Sequence, residues 1–428
     1  MSDSIAASRW LPCWDPTTQQ LFYFNKLTCH RVLEEPVEIT RARAEQSLSP
    51  TDETPEMIFR KKRFRFLRDL RKGLSPSTFP LTLHRNKVYE ETFTQFTRIG
   101  KKELQSKPSI SYVDEAGMDA GGLTKDWYLA LSKAALTEDR HLFTTDESGH
   151  LQISKSSHFN TAHLKEFRFL GKVIGKAIFD RNVVDLPLSD LLYKHILGLP
   201  VSFADLTKMD LQFSNSLTWM LNHDITDILF ETFSISKEDD NMGPNPVIID
   251  LIENGRNINV TESNKMEYVH AMTTWHTEFA IRPQLDAFLQ GLHTLLPHES
   301  LNAFTVPELK LLFNGKSEIN VDEIRSNCVF QGGYSENEKV VLWLWQAIRE
   351  FNLEYKGLFL KFVTGTNKIP LDGFDPSFNV TKSDLTNTAF PRTHTCFNQL
   401  VLPEYTSYEI LVEKIMFAIV NCDGFELS

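Results

Sequence analysis

Cysteine is scarce in this sequence, and its spacing excludes two common kinds of site. Five cysteines are spread over 428 residues, without a Cys-x-x-Cys pair or a histidine at ligand spacing. Neither a disulfide framework nor a zinc site is therefore predicted, and no other metal or cofactor is indicated. A cysteine with a chemical role has to act alone. The five are Cys13, Cys29, Cys328, Cys396 and Cys422.

The sequence also lacks long apolar runs and an excess of positive charge. No stretch approaches the roughly 18 uninterrupted apolar residues of a membrane helix, and the N-terminus lacks the pattern of a signal peptide. Acidic residues outnumber basic ones by 56 to 45, for a formal net charge of −11. This charge repels a phosphate backbone. We therefore expect a soluble cytoplasmic protein, with the nucleus as an alternative, and no nucleic-acid partner.

What is present is the composition of an ordinary globular protein. Hydrophobic residues make up 41% and charged residues 24%, and no internal repeat is seen. A chain of this length exceeds one compact core, so about two to four domains are predicted.

The first 38 residues read as a small aromatic β-module, with a turn at residues 15–18 between two apolar runs. The pattern resembles a WW domain, a three-stranded sheet that binds proline-rich peptides. Leu33 stands where that family has its ligand-facing Trp, so the module is degenerate. Two roles stay open, recognition of substrates and simple packing. The residues that match the family are Trp10, Phe22, Tyr23, Asn25 and Pro36.

Two segments follow this module. Residues 39–58 lack apolar periodicity and have the composition of a linker. Residues 59–70 carry six basic side chains among several apolar ones, and Arg71 follows directly. They predict a basic amphipathic helix, which fits either a membrane surface or, as we prefer, a solvated helix that packs one face on its domain.

The last 110 or so residues read as an α/β unit. Apolar residues recur at helical spacing from Val341 to Phe351 and from Tyr408 to Ile419. Between them, the short apolar runs at residues 358–363 and 398–402 are predicted to be strands.

Cys396 is the cysteine whose surroundings suit chemistry. It precedes the apolar run at residues 398–402, so we expect its thiol at the entrance of a strand. In an extended segment, His394 and Arg392 would share its side, and a neighbouring positive charge favours the reactive thiolate. By base rate, however, such a cysteine is a small buried residue beside a satisfied histidine. Spacing alone does not decide between these interpretations.

From about residue 59 to residue 428 the sequence resembles a HECT ubiquitin ligase. Residues 393–398 match that family's catalytic loop, and further segments match in the expected order. They are a glycine turn before a helix at residues 119–127, the hinge at residues 312–317, the start of the C-lobe core at residues 332–334, a strand and turn at residues 362–374, and Phe425 near the C-terminus.

The resemblance implies an α+β fold with two lobes. The N-lobe would span residues 59–314, mostly helical with a small antiparallel β-subdomain at about residues 205–279. The C-lobe would be an α/β unit over residues 315–428. Gly315 falls at the hinge between the lobes, where its backbone freedom suits a moving joint.

The resemblance also implies a ubiquitin-protein ligase mechanism of two acyl transfers through Cys396. Ubiquitin, a ubiquitin-conjugating enzyme and protein substrates would be the partners. His394 and Thr395 would shape the loop and Phe425 would serve the second step. Glu426 or Asp423 would be the candidate acceptor of the lysine proton.

Two binding surfaces are implied on the N-lobe. A hydrophobic groove for the conjugating enzyme falls at Phe213, Leu217, Leu229, Phe230 and Tyr268. Phe167 falls where relatives hold a second, non-covalent ubiquitin. By base rate, an apolar stripe such as the groove is more often core than interface, and for Phe167 a helix-core residue fits equally well.

Three other functions are weighed against this one. A cysteine hydrolase would need a distant histidine oriented by Asn or Asp, and no such signature accompanies Cys396. A catalytically silent HECT-like scaffold would bind ubiquitin or conjugating enzymes without transfer, against which the intact loop and Phe425 argue. A proline-motif adaptor would depend on the N-terminal module, which Leu33 weakens.

Overall fold

The fold is that of a computed structural model, which describes residues 10–15, 20–25, 31–33, 54–115, 121–184, 186–237, 247–316, 318–371 and 373–421. The chain divides into two compact units, residues 1–61 and residues 62–428, and each is described by itself.

The first unit contains a three-stranded antiparallel sheet. Its strands are β1 (Trp10–Asp15), β2 (Gln20–Asn25) and β3 (Arg31–Val32). β2 lies in the centre, and Trp10 is opposite Asn25 in the β1–β2 register. The aromatic and β-branched residues of these runs favour such pairing.

The second unit, together with the helix that leads into it, is mostly helical in the part that the structure describes. The helices before residue 315 are α1 (Pro55–Leu70), α2 (Val88–Phe96), α3 (Lys101–Leu104), α4 (Gly122–Ala135), α5 (His163–Phe179), α6 (Asp190–Ile196), α7 (Phe203–Met209), α8 (Leu211–Asn222), α9 (Lys265–Thr277), α10 (Arg282–Leu292), α11 (His298–Leu301) and α12 (Val306–Asn314). Those after it are α13 (Val321–Ser326), α14 (Lys339–Glu350), α15 (Leu353–Thr364) and α16 (Tyr408–Val420). Among the described residues, the search for a helix that could cross a membrane found none.

The remaining strands form small sheets and one larger sheet. A parallel pair is formed by β4 (Thr78–Leu83) and β5 (Lys107–Tyr112), and two antiparallel pairs by β6 (Phe143–Thr145) with β7 (Leu151–Ile153) and β8 (Ser234–Lys237) with β9 (Val247–Asp250). The larger sheet contains β10 (Val329–Gln331), β11 (Asn379–Lys382), β12 (Arg392–His394) and β13 (Gln399–Leu402).

Helix α1 carries the basic run of the sequence and packs with one face. Within the second unit, Phe66 and Leu67 are buried, and the Phe66 ring meets Phe304 edge-on at 5.3 Å between centroids. Phe64, on the other side, is 65% exposed. The preferred interpretation of this run, a helix packed on its own domain, is confirmed for residues 62–70.

Helices α5 and α10 form the centre of the helical part, and their backbones touch. A Cβ built on Gly171 would collide with the carbonyl oxygen of Phe288, and one on Gly291 would collide with that of Arg168. A third glycine, Gly175, leaves room for the carbonyl of Leu292. Glycine lets two helices approach this closely, because any side chain would separate them.

A separate hydrophobic cluster organises the region from α7 to α9. Helices α7, α8 and α9 enclose it together with the loop that leads to β8, and the antiparallel β8–β9 pair lies beside it. The predicted small antiparallel subdomain corresponds to this region. Its buried members are Leu206, Leu217, Met220, Ile225, Phe233, Val260, Tyr268, Val269 and Met272.

The region after Gly315 has its own core around the four-stranded sheet. The sheet order is β10-β11-β13-β12, with β12 antiparallel to β13 and the other pairs parallel. Helices α14, α15 and α16 supply most of the buried side chains, among them Trp345, Phe359 and Ile415. β10 and β11 are parallel and joined through α14 and α15, which is the α/β pattern that the sequence predicts.

The prediction of a strand at residues 358–363 is wrong, because this run lies inside helix α15. The Asn352 side chain accepts a hydrogen bond from the Tyr355 backbone at 2.8 Å and so begins the helix. Gly365 ends it in the left-handed region, with φ of +75°. Short apolar runs do not distinguish a buried helix from a buried strand. The strand predicted at residues 398–402 is confirmed as β13, and the helices predicted from Val341 and from Tyr408 are confirmed as α14 and α16.

Candidate functional site

Cys396 belongs to a tight turn at the edge of the larger sheet. β12 is the edge strand and pairs with β13, with His394 opposite Gln399. Residues Thr395–Phe397 form a single 3₁₀ turn between the two strands. The Cys396 backbone therefore lies at the entrance of β13, and the expected position of the thiol stays a prediction. Its thiol lies outside what the structure describes.

The prediction that Arg392, His394 and Cys396 lie on one extended segment holds for the backbone only as far as His394. β12 ends at His394, and the chain then coils. Side chains alternate between the two faces of a strand. This alternation is lost in a 3₁₀ turn, which has three residues per turn. His394 and Phe397 flank the Cys396 position and are exposed, Phe397 by 58%. Thr395 is half-buried.

Asn398 closes the turn and is fully buried. Its φ of +47° and ψ of +42° place it in the left-handed region, which asparagine tolerates better than most residues. Its side-chain Nδ2 donates to the carbonyl of Pro376 at 2.5 Å, and its backbone nitrogen donates to Thr395 at 3.2 Å. Its own carbonyl accepts from Asn379 at 2.9 Å. The conformation of the turn therefore depends on this side chain.

Lys125 connects the turn to the helical part of the second unit. Its Nζ donates to the Oδ1 atom of Asn398 at 3.1 Å. Lys125 lies in the first turn of α4, whose N-cap Gly121 has φ of +116°. Sequence analysis identified neither role. The pattern around Asn398 offered one signal, since a polar residue directly before a buried strand often closes a turn.

The tail residues predicted to assist the second step lie outside the described residues. These are Phe425, Glu426 and Asp423, for which the predictions stand as they were made.

Gly315 ends helix α12, with φ of +72° and ψ of −168°. This backbone conformation is essentially restricted to glycine. A Cβ built there would lie 3.1 Å from the carbonyl oxygen of Ile369 and 3.2 Å from Val183. Gly315 is thus the helix C-cap that joins the helical part to the C-terminal core.

Four of the five predicted groove residues line one depression on the α7–α9 region. Phe213 and Leu217 come from α8, Tyr268 from α9, and Leu229 from the loop between them. Phe230 follows Leu229 and is 86% exposed. Leu217 and Tyr268 are buried and form the floor, while Phe213 and Leu229 are half-buried on the walls.

The floor of the groove is held by aromatic contacts. Phe213 stacks on His276 with 4.1 Å between ring centroids, and Tyr268 meets Phe233 edge-on at 5.4 Å. Lys155 Nζ lies 2.7 Å from His276 Nδ1. Burial, followed by the charge of Lys155, lowers the pKa of His276 to about 4, so the ring is neutral near pH 7.

The rim of the groove includes apolar residues that sequence analysis missed. Trp219 is 43% exposed and stacks on His223 at 4.7 Å, and Ile228 is 57% exposed. Trp219 lines the same depression as the predicted residues, and exposed aromatic side chains are enriched at protein-binding sites. Their spacing in the sequence carries no signal, because Trp219 lies on the exposed side of helix α8 and Ile228 in a loop without periodicity.

Phe167 does not form a binding surface in this fold. Its side chain is fully buried on α5, and its ring meets Phe143 edge-on at 5.7 Å. A partner protein does not reach a buried ring. The prediction of a ubiquitin contact at Phe167 is therefore at odds with the structure, and the alternative of a helix-core residue fits.

Among the described residues, the search for metal sites found no group of three or more His, Cys, Asp or Glu side chains that could hold an ion. Among the side chains that the structure describes, Cys328 is the one cysteine; it is half-buried, and burial raises its pKa to about 12. A thiol of that pKa stays protonated and unreactive near pH 7.

Comparison with known proteins points to one family. A model of the HECT-domain (ubiquitin-transferase) family matches residues 129–428. The chain is 35% identical over 395 residues to the E3 ubiquitin-protein ligase ptr1 of Schizosaccharomyces pombe, a match that covers 89% of this chain and 12% of that protein. It is 37% identical over 361 residues to the E3 ubiquitin-protein ligase TOM1 of Saccharomyces cerevisiae, covering 82% and 11%.

A shorter relative gives similar identity. The E3 ubiquitin-protein ligase pub1 of S. pombe is 36% identical over 377 residues, which is 86% of this chain and 48% of that protein. The chain thus spans about a tenth of the length of the larger relatives and about half of pub1.

Proposed function

Because this chain belongs to the HECT-domain (ubiquitin-transferase) family, we propose that it is a ubiquitin-protein ligase that carries ubiquitin as a thioester on Cys396. One observation carries the proposal. The family match includes the turn at Thr395–Phe397, and this turn places the Cys396 backbone at the sheet edge beside the exposed Phe397. A nucleophile needs such a position.

The first step would be exchange of one thioester for another. The Cys396 thiolate attacks the carbonyl carbon of the thioester that joins ubiquitin to the conjugating enzyme. A new carbon–sulfur bond forms, the old one breaks, and the thiolate of the conjugating enzyme leaves. The exchange is close to balanced because both ends are thioesters.

The second step would be transfer to a lysine of a protein substrate. The neutral amine attacks the Cys396 thioester, an amide bond forms and the Cys396 thiolate leaves. The amine has to lose a proton, for which Glu426 or Asp423 in the tail is the proposed acceptor, with Phe425 positioning the complex. His394 and Thr395 would shape the turn, and positioning supplies much of the rate.

The division into lobes follows from this proposal. The N-lobe spans residues 59–314 and the C-lobe residues 315–428, with Gly315 as the hinge between them. Its glycine-only backbone conformation supports that role. The conjugating enzyme docks on residues 205–279, where Phe213, Leu217, Leu229 and Tyr268 line the groove, with Phe230 beside it.

The N-terminal sheet is proposed to be a degenerate WW-like module over residues 1–38, followed by a linker at residues 39–58. Three antiparallel strands support this. Leu33 is 60% exposed in place of an aromatic ligand platform. Substrate recognition through this module is tested by titrating proline-rich peptides. We place the ligase in the cytoplasm or nucleus, where thiols stay reduced.

The proposed function is tested by single-turnover transfer from a conjugating enzyme charged with ubiquitin, read on a non-reducing gel. We expect an adduct that thiol reagents remove, present in the unmodified chain and absent in Cys396→Ala. Cys328→Ala is the matched control and should form the adduct normally. Absence of the adduct from the unmodified chain with several conjugating enzymes would instead support the silent scaffold.

A further inference from the structure

A cavity of about 700 Å³ lies between the helical part of the second unit and its C-terminal core. One wall comes from α1, the β4 and β5 strands, the start of α4 and the residues after α5. The other wall comes from the loop that follows α15, at residues 365–375. The cavity is distinct from the groove and does not include the turn that holds Cys396.

The lining of this cavity is strongly basic. The lining includes six cationic side chains but only two acidic ones, Asp180 and Asp375. Of these two, Asp180 is engaged by the buried Lys176, whose Nζ lies 2.5 Å and 2.7 Å from the two carboxylate oxygens. A net positive cavity stands out in a chain of net charge −11. The cationic residues are Arg63, Arg71, Lys107, Lys125, Arg181 and Lys368.

Three of these cations form no ion pair within the described part of the chain, although the charge of Asp180 acts on Arg71. Among the residues that the structure describes, none forms an ion pair with Arg71, Lys107 or Arg181. Burial, followed by the charge of Arg181, lowers the pKa of Arg71. Like charges that face one cavity repel each other, and a bound anion relieves that repulsion.

Polar groups complete the lining. Ser75, Ser77, Thr78 and Thr366 reach the same cavity as the basic residues, and hydroxyls donate hydrogen bonds to phosphate oxygens. Arginine recognises phosphate through paired N–H groups. Cations stand on both walls, with Lys368 on one and Arg71 and Arg181 on the other.

We propose that this basic cavity binds a small, multiply phosphorylated anion of the inositol-polyphosphate class. Several phosphates on one compact ring satisfy cations on two walls at once. An extended nucleic acid is disfavoured because the rest of the chain repels it. The cavity is concave and walled on both sides, which favours a free ligand over a headgroup embedded in a bilayer.

Such a ligand would stabilise this arrangement of the two walls. Because it contacts both, its affinity differs between the present arrangement and one in which the C-terminal core has moved. Any step that needs such a movement is then slowed by the ligand, and the coupling is reciprocal. This consequence rests on the proposed function, whereas binding of the anion does not.

Binding is tested by isothermal titration of the full chain with inositol hexakisphosphate at physiological ionic strength. We expect one site per chain, with an affinity that falls as salt rises. Unphosphorylated inositol and inorganic phosphate at matched ionic strength should bind at least about tenfold more weakly. No binding of the hexakisphosphate, or equal binding of inorganic phosphate, would overturn the proposal.

The site is located with a double variant, Arg71→Gln with Arg181→Asn. Asparagine is chosen because residue 181 has φ of +63°, which it tolerates. We expect affinity to fall about 10-fold to 100-fold, since two charge-assisted contacts are lost. The control is Arg98→Gln with Lys133→Gln, two exposed cations outside the cavity. Equal losses in both variants would show non-specific attraction and contradict the site.

Two further measurements keep the result decisive. Thermal unfolding shows whether the double variant is folded. If it is not, Arg181→Asn alone replaces it, with an expected loss of about tenfold in affinity. Vesicles that carry a phosphoinositide headgroup distinguish the source of the phosphates. We expect the free hexakisphosphate to compete the chain away from them. If neither free hexakisphosphate nor the cavity substitution changes vesicle binding, the cavity is not the binding site.

Discussion

The turn at Thr395–Phe397 and the groove on the α7–α9 region are both exposed, but they are built in different ways. Hydrogen bonds to one buried residue, Asn398, hold the turn. Hydrophobic packing over several elements holds the groove. A single polar residue therefore controls the turn, whereas the groove distributes its contacts. We expect substitutions in the turn to act on the rate of transfer and those at the groove to act on affinity.

The largest effect is expected for Asn398→Ala. The variant loses the hydrogen bonds to Pro376 and Lys125 and places alanine in the left-handed region. Displacement of a reacting group by about 1 Å costs on the order of 100-fold, so we expect transfer to slow by roughly that factor. The measurement is the single-turnover rate at saturating charged conjugating enzyme.

Asn398→Gly separates the two causes, because glycine accepts the backbone conformation but lacks the side-chain hydrogen bonds. We expect it to remain at least about tenfold slow. A glycine variant that transfers ubiquitin at the unmodified rate would show that the side-chain bonds do not position the turn.

The next effect is expected at the groove, with Trp219→Ala and Phe230→Ala combined. Removal of two exposed aromatic anchors should weaken binding of the conjugating enzyme by about 10-fold to 30-fold. Raising the enzyme concentration should restore the rate, which it should not do for Asn398→Ala. Leu353→Ala, an exposed residue outside the groove, is the control. A groove variant whose rate stays low at saturation would remove the contrast between the two sites.

A smaller effect is expected for Gly315→Ala, which alters the segment between the two sites. The alanine would hold a glycine-only backbone conformation and press on Ile369 and Val183. We expect a loss of about 1–3 kcal/mol in the free energy of unfolding. Gly357→Ala is the matched control, since the added Cβ would meet only Asn367, at 3.8 Å. This substitution should stabilise the helix by about 0.5–1 kcal/mol. Equal urea midpoints for the two variants would contradict the strain at Gly315.

The smallest effect is a pH dependence of the groove through His276. Its pKa in the folded chain is about 4, against 6.5 for the ordinary group. The unfolded chain therefore binds more protons between these values, and stability falls as pH drops from about 6.5 toward 4. Because the ring is partly exposed, we expect only about 1 kcal/mol between pH 7 and pH 5.

The check is urea unfolding of the chain and of His276→Gln at both pH values. The variant should lose less stability on acidification than the unmodified chain. Identical losses would show that His276 does not contribute to the pH response.

The same contrast decides what the sequence could predict. The turn at Thr395–Phe397 is local. Cys396, strand β13 and helices α14 and α16 could be predicted because the residues that indicate them are adjacent or periodic in the sequence. The groove combines residues between 213 and 268, so its members came from a resemblance and its rim at Trp219 and Ile228 was missed. Distant contacts such as Lys125 to Asn398 leave no trace in local sequence.

The errors have physical causes as well. The run at residues 358–363 is apolar on most positions, which removes the periodicity that separates helix from strand. Phe167 lies on a helix buried on most sides, so a matched position gave no information on exposure. In both cases tertiary packing, which the sequence does not display, decided the outcome.

The central claim is that residue 396 itself carries ubiquitin, and Cys396→Ser tests it most directly. A serine at this position should accept ubiquitin slowly as an oxyester, because its oxygen is a weaker nucleophile than a thiolate. The account predicts an adduct that resists thiol reagents, is cleaved by hydroxide and maps by mass spectrometry to residue 396. An adduct that stays thiol-sensitive, or that maps to Cys328 or another residue, would contradict it.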